Sequence, residues 1–260
     1  MPVFVKQLLI VCPLVFLAGF LDSVSGGGGL ISLPAYLMVG LPAHLAAGTN
    51  KAVASLGASV ASVSYFRSGK VLLRIALPAA ACSLCGGTLS TRLAASLPDS
   101  ALKLLLLLAL PCVAVFLALK RDFGKEESVP ARTLSRRQEL LRVCLIGLGM
   151  GFYDGMVGPG TGTFLLMLLT AALGIDLLTA SGCGKVVNLA SNLASAVVWS
   201  LDGSVLWRLV APAALCNMLG NWCGARFAIR GGSRRVRGMI VVVLALLFVR
   251  VIYELLGQRG

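Results

Sequence analysis

Asp22, the glycine run Gly26–Gly29 and the tetrapeptide Gly48-Thr49-Asn50-Lys51 sit in apolar surroundings. Polar and helix-breaking residues there are costly unless they have a use. The set recurs half a chain later. Gly19, Phe20, Asp22, Gly26 and Gly28 have counterparts in Gly151, Phe152, Asp154, Gly158 and Gly160, and Lys51 has one in Lys185. Glycine lets the backbone turn through positive φ and brings its N–H groups close to a ligand. Where such a break precedes a helix, free N–H groups and the helix dipole favour an anion. Gly26, Gly28, Gly29, Gly158, Gly160 and Gly162 are therefore candidate backbone donors. Thr49, Asn50, Asn188 and Asn192 could donate hydrogen bonds to anion oxygens, and Lys51 or Lys185 could supply compensating charge.

Asp22 and Asp154 suit a bare anion poorly. They fit a structural role, capping the broken helices or pairing with a lysine, or a functional one as carriers of a coupling proton; the structural role is preferred. A rival chemistry is intramembrane aspartyl proteolysis by the two carboxylates. Tyr153-Asp154 lends it slight support, but no Gly-x-Gly-Asp accompanies the other aspartate. An anion channel of the same architecture is the other alternative.

These residues need elements that hold them at depth. The chain has 58% hydrophobic and only 13% charged residues, with a mean hydropathy of +0.92. A soluble domain keeps roughly a quarter of its residues charged, so lipid is the expected solvent. Apolar runs at 7–21, 45–66, 71–91, 101–119, 140–153, 186–201, 205–225 and 238–253 make the fold class all-α, a polytopic transmembrane bundle. Between them lie short apolar segments, about Leu30 to Val39 and Phe164 to Leu173. Each covers only about 15 Å as helix, half of a hydrocarbon core about 30 Å thick, so both are expected to be half-helices after a non-helical break. Counting them gives about eight to ten membrane segments.

The correspondence extends from Gly40, Gly69, Arg74, Pro78, Cys82, Gly86 and Arg92 to Gly174, Gly203, Arg208, Pro212, Cys216, Gly220 and Arg226. The halves thus read as duplicated: a first repeat over 1–119, a basic linker over 120–139 and a second repeat over 140–260. Arg67, Lys70 and Arg74 mark one turn of the first half, whereas Arg226, Arg230, Arg234, Arg235 and Arg237 mark the non-equivalent turn of the second. If basic loops face the cytoplasm, the two repeats are inverted. Pro78 and Pro212 are expected to kink matching helices.

Several classes are excluded. The net charge of +13 lies at the ends of apolar runs, as cytoplasmic loops require, and no basic face with interleaved aromatics suggests nucleic acid. The eight cysteines lie almost all within apolar runs; they read as packing residues, Cys82-x-x-Cys85 included, with no disulfide framework or metal site expected. His44 has Leu178 at its equivalent position and receives no role. Residues 1–21 lack a small-x-small cleavage site and read as a retained helix. Gly158-Pro-Gly-Thr-Gly162 lacks the Gly-Lys-Ser/Thr ending of a phosphate loop, and no cofactor is expected.

Asp22 with Gly26-Gly-Gly-Gly-Leu-Ile-Ser-Leu-Pro34 and Gly48-Thr-Asn-Lys51 resembles the first-half signature of the sulfite exporter TauE/SafE family. Gly151-Phe-Tyr-Asp-Gly-Met-Val-Gly-Pro-Gly-Thr-Gly-Thr-Phe164, followed by Lys185 and Asn188, is similar to its second. The resemblance covers nearly the whole chain. It implies a multi-pass permease of the bacterial cytoplasmic membrane that carries, and is expected to export, sulfite or an organosulfonate, with the lipid bilayer and a small anion as its partners. On this reading Lys51→Ala or Lys185→Ala lowers anion flux while folding stays near normal.

Overall fold

Glycine breaks and basic turns cut the apolar sequence into helices, and every regular element among the described residues is one. The computed structural model describes residues 3–106, 108 and 135–257; most of the expected linker 120–139 lies outside the described residues. In chain order the helices are α1 (Val3–Ser25), α2 (Gly29–Met38), α3 (Ala43–Arg67) and α4 (Leu73–Ser96). A helix α5, of which residues 99–106 are described, precedes α6 (Arg136–Met156), α7 (Thr161–Leu173), α8 (Leu177–Leu201) and α9 (Trp207–Gly257). The last two expected segments of the second half make up α9, two helices separated by a break at Gly232, where φ is 63°. Pro78 and Pro212 lie inside α4 and α9.

The polarity of this bundle is inverted relative to a soluble protein. Leu9, Leu77, Leu84, Leu145, Val197, Leu215 and Leu219 are exposed, while Lys51, Asp154, Lys185, Asn188, Asn192, Asn217 and Asn221 are buried. Exposed leucines along helix after helix, with the amides and charges inside, are what a lipid solvent selects. Among the described residues two helices, Phe4–Ser25 and Leu73–Ser96, are long and apolar enough by themselves to cross a membrane. The central helices α3 and α8 are not apolar throughout because they carry the buried polar residues.

The two short helices turn back. Gln7 at the start of α1 donates to the carbonyl of Val39 just past α2, and the middle of α1 lies against Gly28. The hairpin is therefore antiparallel and re-entrant. The second one matches it: Arg142 near the start of α6 donates to Ala172 O at the end of α7, at 2.8 Å. These long side chains satisfy carbonyls that a helix end leaves open. Each half-helix is seated in its own apolar cluster, α2 with Val11, Trp199 and Leu209, α7 with Tyr65, Ile75 and Ala225.

Close packing links the two halves of the chain throughout. α6 lies along α4, with Gly147 on Ala79 and Gly151 on Ser83; α9 lies along α1, with Gly220 on Phe16 and Gly224 on Phe20. Both pairs run parallel. A Cβ on Gly151 would sit 2.3 Å from Ser83 O, so only glycine permits this approach. At the bundle centre α3 and α8 run antiparallel: Gly48 lies beside Trp199 and Gly182 beside Tyr65.

Candidate functional site

Both half-helices begin at the middle of the molecule, and their starts touch. Gly26 has φ 80°, and a Cβ there would fall 2.3 Å from the Cα of Gly162. Gly29 packs on Pro159 and Gly158. Thr163 donates to Ser25 O at 2.8 Å, tying the second break to the first, and Tyr153 OH holds Pro159 O at 2.7 Å. The residues preceding the helices, Gly28 and Gly160, provide no side-chain cap. Backbone bonds take up part of each start, Leu30 and Ile31 N–H on Gly27 and Gly28 O and Thr161 N–H on Gly158 O, and the remaining N–H groups are those available to a ligand.

Between them lies a cavity of about 40 Å³. Of the residues singled out in the sequence, Asp22, Gly26, Gly28, Gly29, Asn50, Lys51, Asp154, Gly158, Gly162 and Asn188 line it, together with Asn192. Three do not. Gly160 has φ 82° and shapes the start of α7. Lys185 lies behind the wall, its ammonium 2.7 Å from Asp22. Thr49 points away: its hydroxyl accepts the Leu206 N–H at 3.0 Å, near the start of α9. Its counterpart Cys183 takes the Leu72 N–H at 3.3 Å at the start of α4, so the Thr/Cys difference between the halves preserves one capping function.

The charges pair across the halves. Lys51 Nζ is 2.8 Å from Asp154 Oδ2 and Lys185 Nζ is 2.7 Å from Asp22 Oδ2, so each lysine is neutralised by the aspartate of the opposite half. Pairing offsets the desolvation that makes a lone buried charge prohibitive. The two pairs are unequal. Asp154 also accepts from Ser191 Oγ at 2.7 Å, and its side chain is 3% exposed. Asp22 lacks that partner because Gly57 stands where Ser191 does, and its side chain is 17% exposed.

Asn217 also lines the cavity and was not singled out. It donates to Val15 O and accepts from Asn221, four residues on. Two asparagines one turn apart inside the apolar run 205–225 were the available signal. His44, given no role, pairs with Asp99 at 2.9 Å at the bundle's end.

The profile of the family described as "Sulfite exporter TauE/SafE" matches residues 11–251. The chain belongs to the sulfite exporter TauE/SafE family. Relatives with the printed name "Probable membrane transporter protein" agree. The Sinorhizobium ORF9 protein is 35% identical over 239 residues, covering 92% of this chain and 90% of its own. A Haemophilus influenzae protein is 33% identical, covering 92% of each. YfcA of Escherichia coli K12 is 30% identical over 250 residues, covering 94% of this chain and 88% of its own. No solved structure matches. This member of the TauE/SafE family is thus a helical membrane transporter. Its aspartates each engage a lysine, whereas an aspartyl protease needs two carboxylates sharing a proton.

Proposed function

We propose that this TauE/SafE protein exports a small anion, sulfite or another sulfur oxyanion or organosulfonate, across the bacterial cytoplasmic membrane by alternating access. The observation that carries the reading is the meeting of two uncapped half-helix starts at one polar cavity with Lys51 in its wall. Gly26, Gly28, Gly29, Gly158, Gly160 and Gly162 would supply or shape the backbone donors, and Asn50 and Asn188 would orient the oxygens. Lys51 and Lys185 would balance the charge. The cavity is lined by residues of both repeats, as expected of a site at a repeat interface.

The inverted duplication is part of the proposal. α1 runs parallel to α9 and α6 parallel to α4, while α3 and α8 are antiparallel. α3 also runs with α9, since Gly48 meets Ser204 and Gly57 meets Asn217. Likewise α8 runs with α4, since Cys183 meets Leu72 and Ser195 meets Thr91. Equivalent helices of the repeats 1–119 and 140–260 then point in opposite directions, which supports a multi-pass inverted repeat.

Purified protein in proteoliposomes, offered labelled sulfite, thiosulfate and organosulfonates, tests the reading. Saturable uptake with counterflow is expected. Ohmic conductance would instead make it a channel, and no flux of any sulfur anion would overturn the assignment.

A further inference from the structure

The two lysine–aspartate pairs leave this pocket with no net charge, which poses a problem for an anion. Lys51, Lys185, Asp22 and Asp154 cancel, so an anion added to them would sit as an unpaired charge in a low-dielectric interior. Asp22 can meet this need. Its side chain lies over the start of α2, so close that a Cβ on Gly28 would fall 3.0 Å from its Cγ. A carboxylate of the protein itself thus stands beside the start of α2, where a helix start favours an anion.

The two aspartates are not interchangeable. Asp154 is held by Lys51 and Ser191 together and is closed off from solvent. Asp22 has Lys185 alone, lines the cavity and is the more exposed. Among the groups around Asp22, α3 presents Lys51 and Tyr65, α6 presents Asp154 and α8 presents Lys185. Tyr65 is committed to Ser23 O at 2.8 Å, α9 contributes the uncharged Asn217, and α2 and α7 bring no titratable side chain to the cavity. Lys185, 4% exposed, has no other anionic partner among the described residues.

We propose that Asp22 is the coupling carboxylate: it takes up a proton from water as the anion enters, and the anion replaces it as counter-charge to Lys185. The inference rests on the anion-transport reading and adds to it a residue and a stoichiometry. One proton and one monovalent anion occupy the site together, no covalent bond changes, and the site stays neutral. Export then requires an outward anion gradient that exceeds the inward proton gradient. Anion and proton then strengthen each other's binding, and affinity rises up to about tenfold per unit fall in pH, the limit for one linked proton.

The test uses strong-acid anions, methanesulfonate and thiosulfate, whose own charge does not change between about pH 5 and pH 8. Three readouts are taken: flux of wild type against pH, proton uptake from unbuffered solution on adding the anion to purified protein, and flux of Asp22→Asn. Expected are flux that rises as pH falls, one proton taken up per methanesulfonate bound, and for Asp22→Asn a reduced flux whose remainder does not vary with pH. Wild-type flux that ignores pH, or binding without proton uptake, overturns the coupling while leaving the transporter standing. A steep pH dependence surviving in Asp22→Asn removes Asp22 from the role. If Asp22→Asn does not fold, proton uptake by wild type decides alone. If neither anion is carried at any pH, the transport reading falls and the coupling with it.

Discussion

Lys51 and Lys185 illustrate how a buried contact changes a prediction made from residue type. As free cations lining a pocket, either could be truncated with folding near normal. As members of buried pairs with Asp154 and Asp22, neither can, because removing one partner leaves the other charged and unpaired at a cost of about 3–5 kcal/mol. Lys51→Ala is therefore expected to reduce the yield and thermal stability of detergent-solubilised protein, and Lys51→Ala with Asp154→Ala to recover much of that loss. A double variant no more stable than the single one would contradict the pairing. Sequence alone reached the residues but not their partners: the repeat shows that Lys51 and Lys185 are equivalent, and equivalence says nothing about contact. Thr49 carries the same lesson. Its spacing beside Asn50 and Lys51 fitted a pocket, yet a helix turns each successive side chain by about 100°, which left Asn50 and Lys51 on the cavity and sent Thr49 to Leu206. Gly26 and Gly162 were legible for their glycine character. Their mutual contact was not, and Gly162→Val is expected to prevent assembly because Gly26 Cα stands 2.4 Å from where its Cβ would go.

At the scale of elements, each half leans on the other rather than on itself. α1 with α9 and α4 with α6 are the extensive pairs, and two pairs of neighbouring free thiols mark them: Cys12 beside Cys216, and Cys82 beside Cys144. Mild oxidation should link both pairs. After proteolysis between residues 120 and 135, oxidised halves should migrate together on a non-reducing gel and separate on reduction; halves that separate either way would refute the exchanged packing. The helix ends make a smaller prediction. Asp176 precedes α8 and accepts from Leu178 N at 3.0 Å and Thr179 N at 3.1 Å, and Ser233 beside the Gly232 break donates to the same oxygen. Burial alone would raise the carboxyl, but the bonds from Thr179, Ser233 and Leu178 outweigh it and hold Asp176 below its ordinary range. A lowered folded-state value means stability that is present above the unfolded value and is lost as pH falls through the folded one. Asp176→Ala should cost about 1 kcal/mol near neutral pH, with the difference from wild type vanishing in acid. The glycine breaks and half-helix lengths were readable in the sequence because φ > 0 and a 30 Å membrane constrain them. The narrowness of the break before the last segment was not, since the turn expected around Arg226–Arg237 comes down to one non-helical residue, Gly232.

For the whole molecule, charge and topology meet in one arrangement. Leu178 N bonds Ser233, Gly182 lies on Lys70 O, and Arg74 pairs with Glu139 at 3.4 Å. These contacts gather the 67–74 turn, the start of α6 and the Arg226–Arg237 stretch at one end. The opposite end collects His44 with Asp99, and Gly48 with Ser204, where Asp99 and Asp202 dilute the basic residues. The sequence could show that basic turns are non-equivalent between the halves; only the packing could put them on one face, because sidedness depends on how many helices actually cross. Here the α1–α2 and α6–α7 hairpins each return the chain to the side where it entered, so the net crossings of each half are made by the helices that follow. Excess Lys and Arg mark the cytoplasmic side. In a cysteine-free background, Ser68→Cys and Arg234→Cys should therefore escape a membrane-impermeant maleimide in intact cells and react after permeabilisation. Asp202→Cys should react without it. Labelling of Ser68→Cys and Arg234→Cys from opposite sides would dismantle the proposed inverted arrangement, and with it the proposed sharing of one anion site between the repeats.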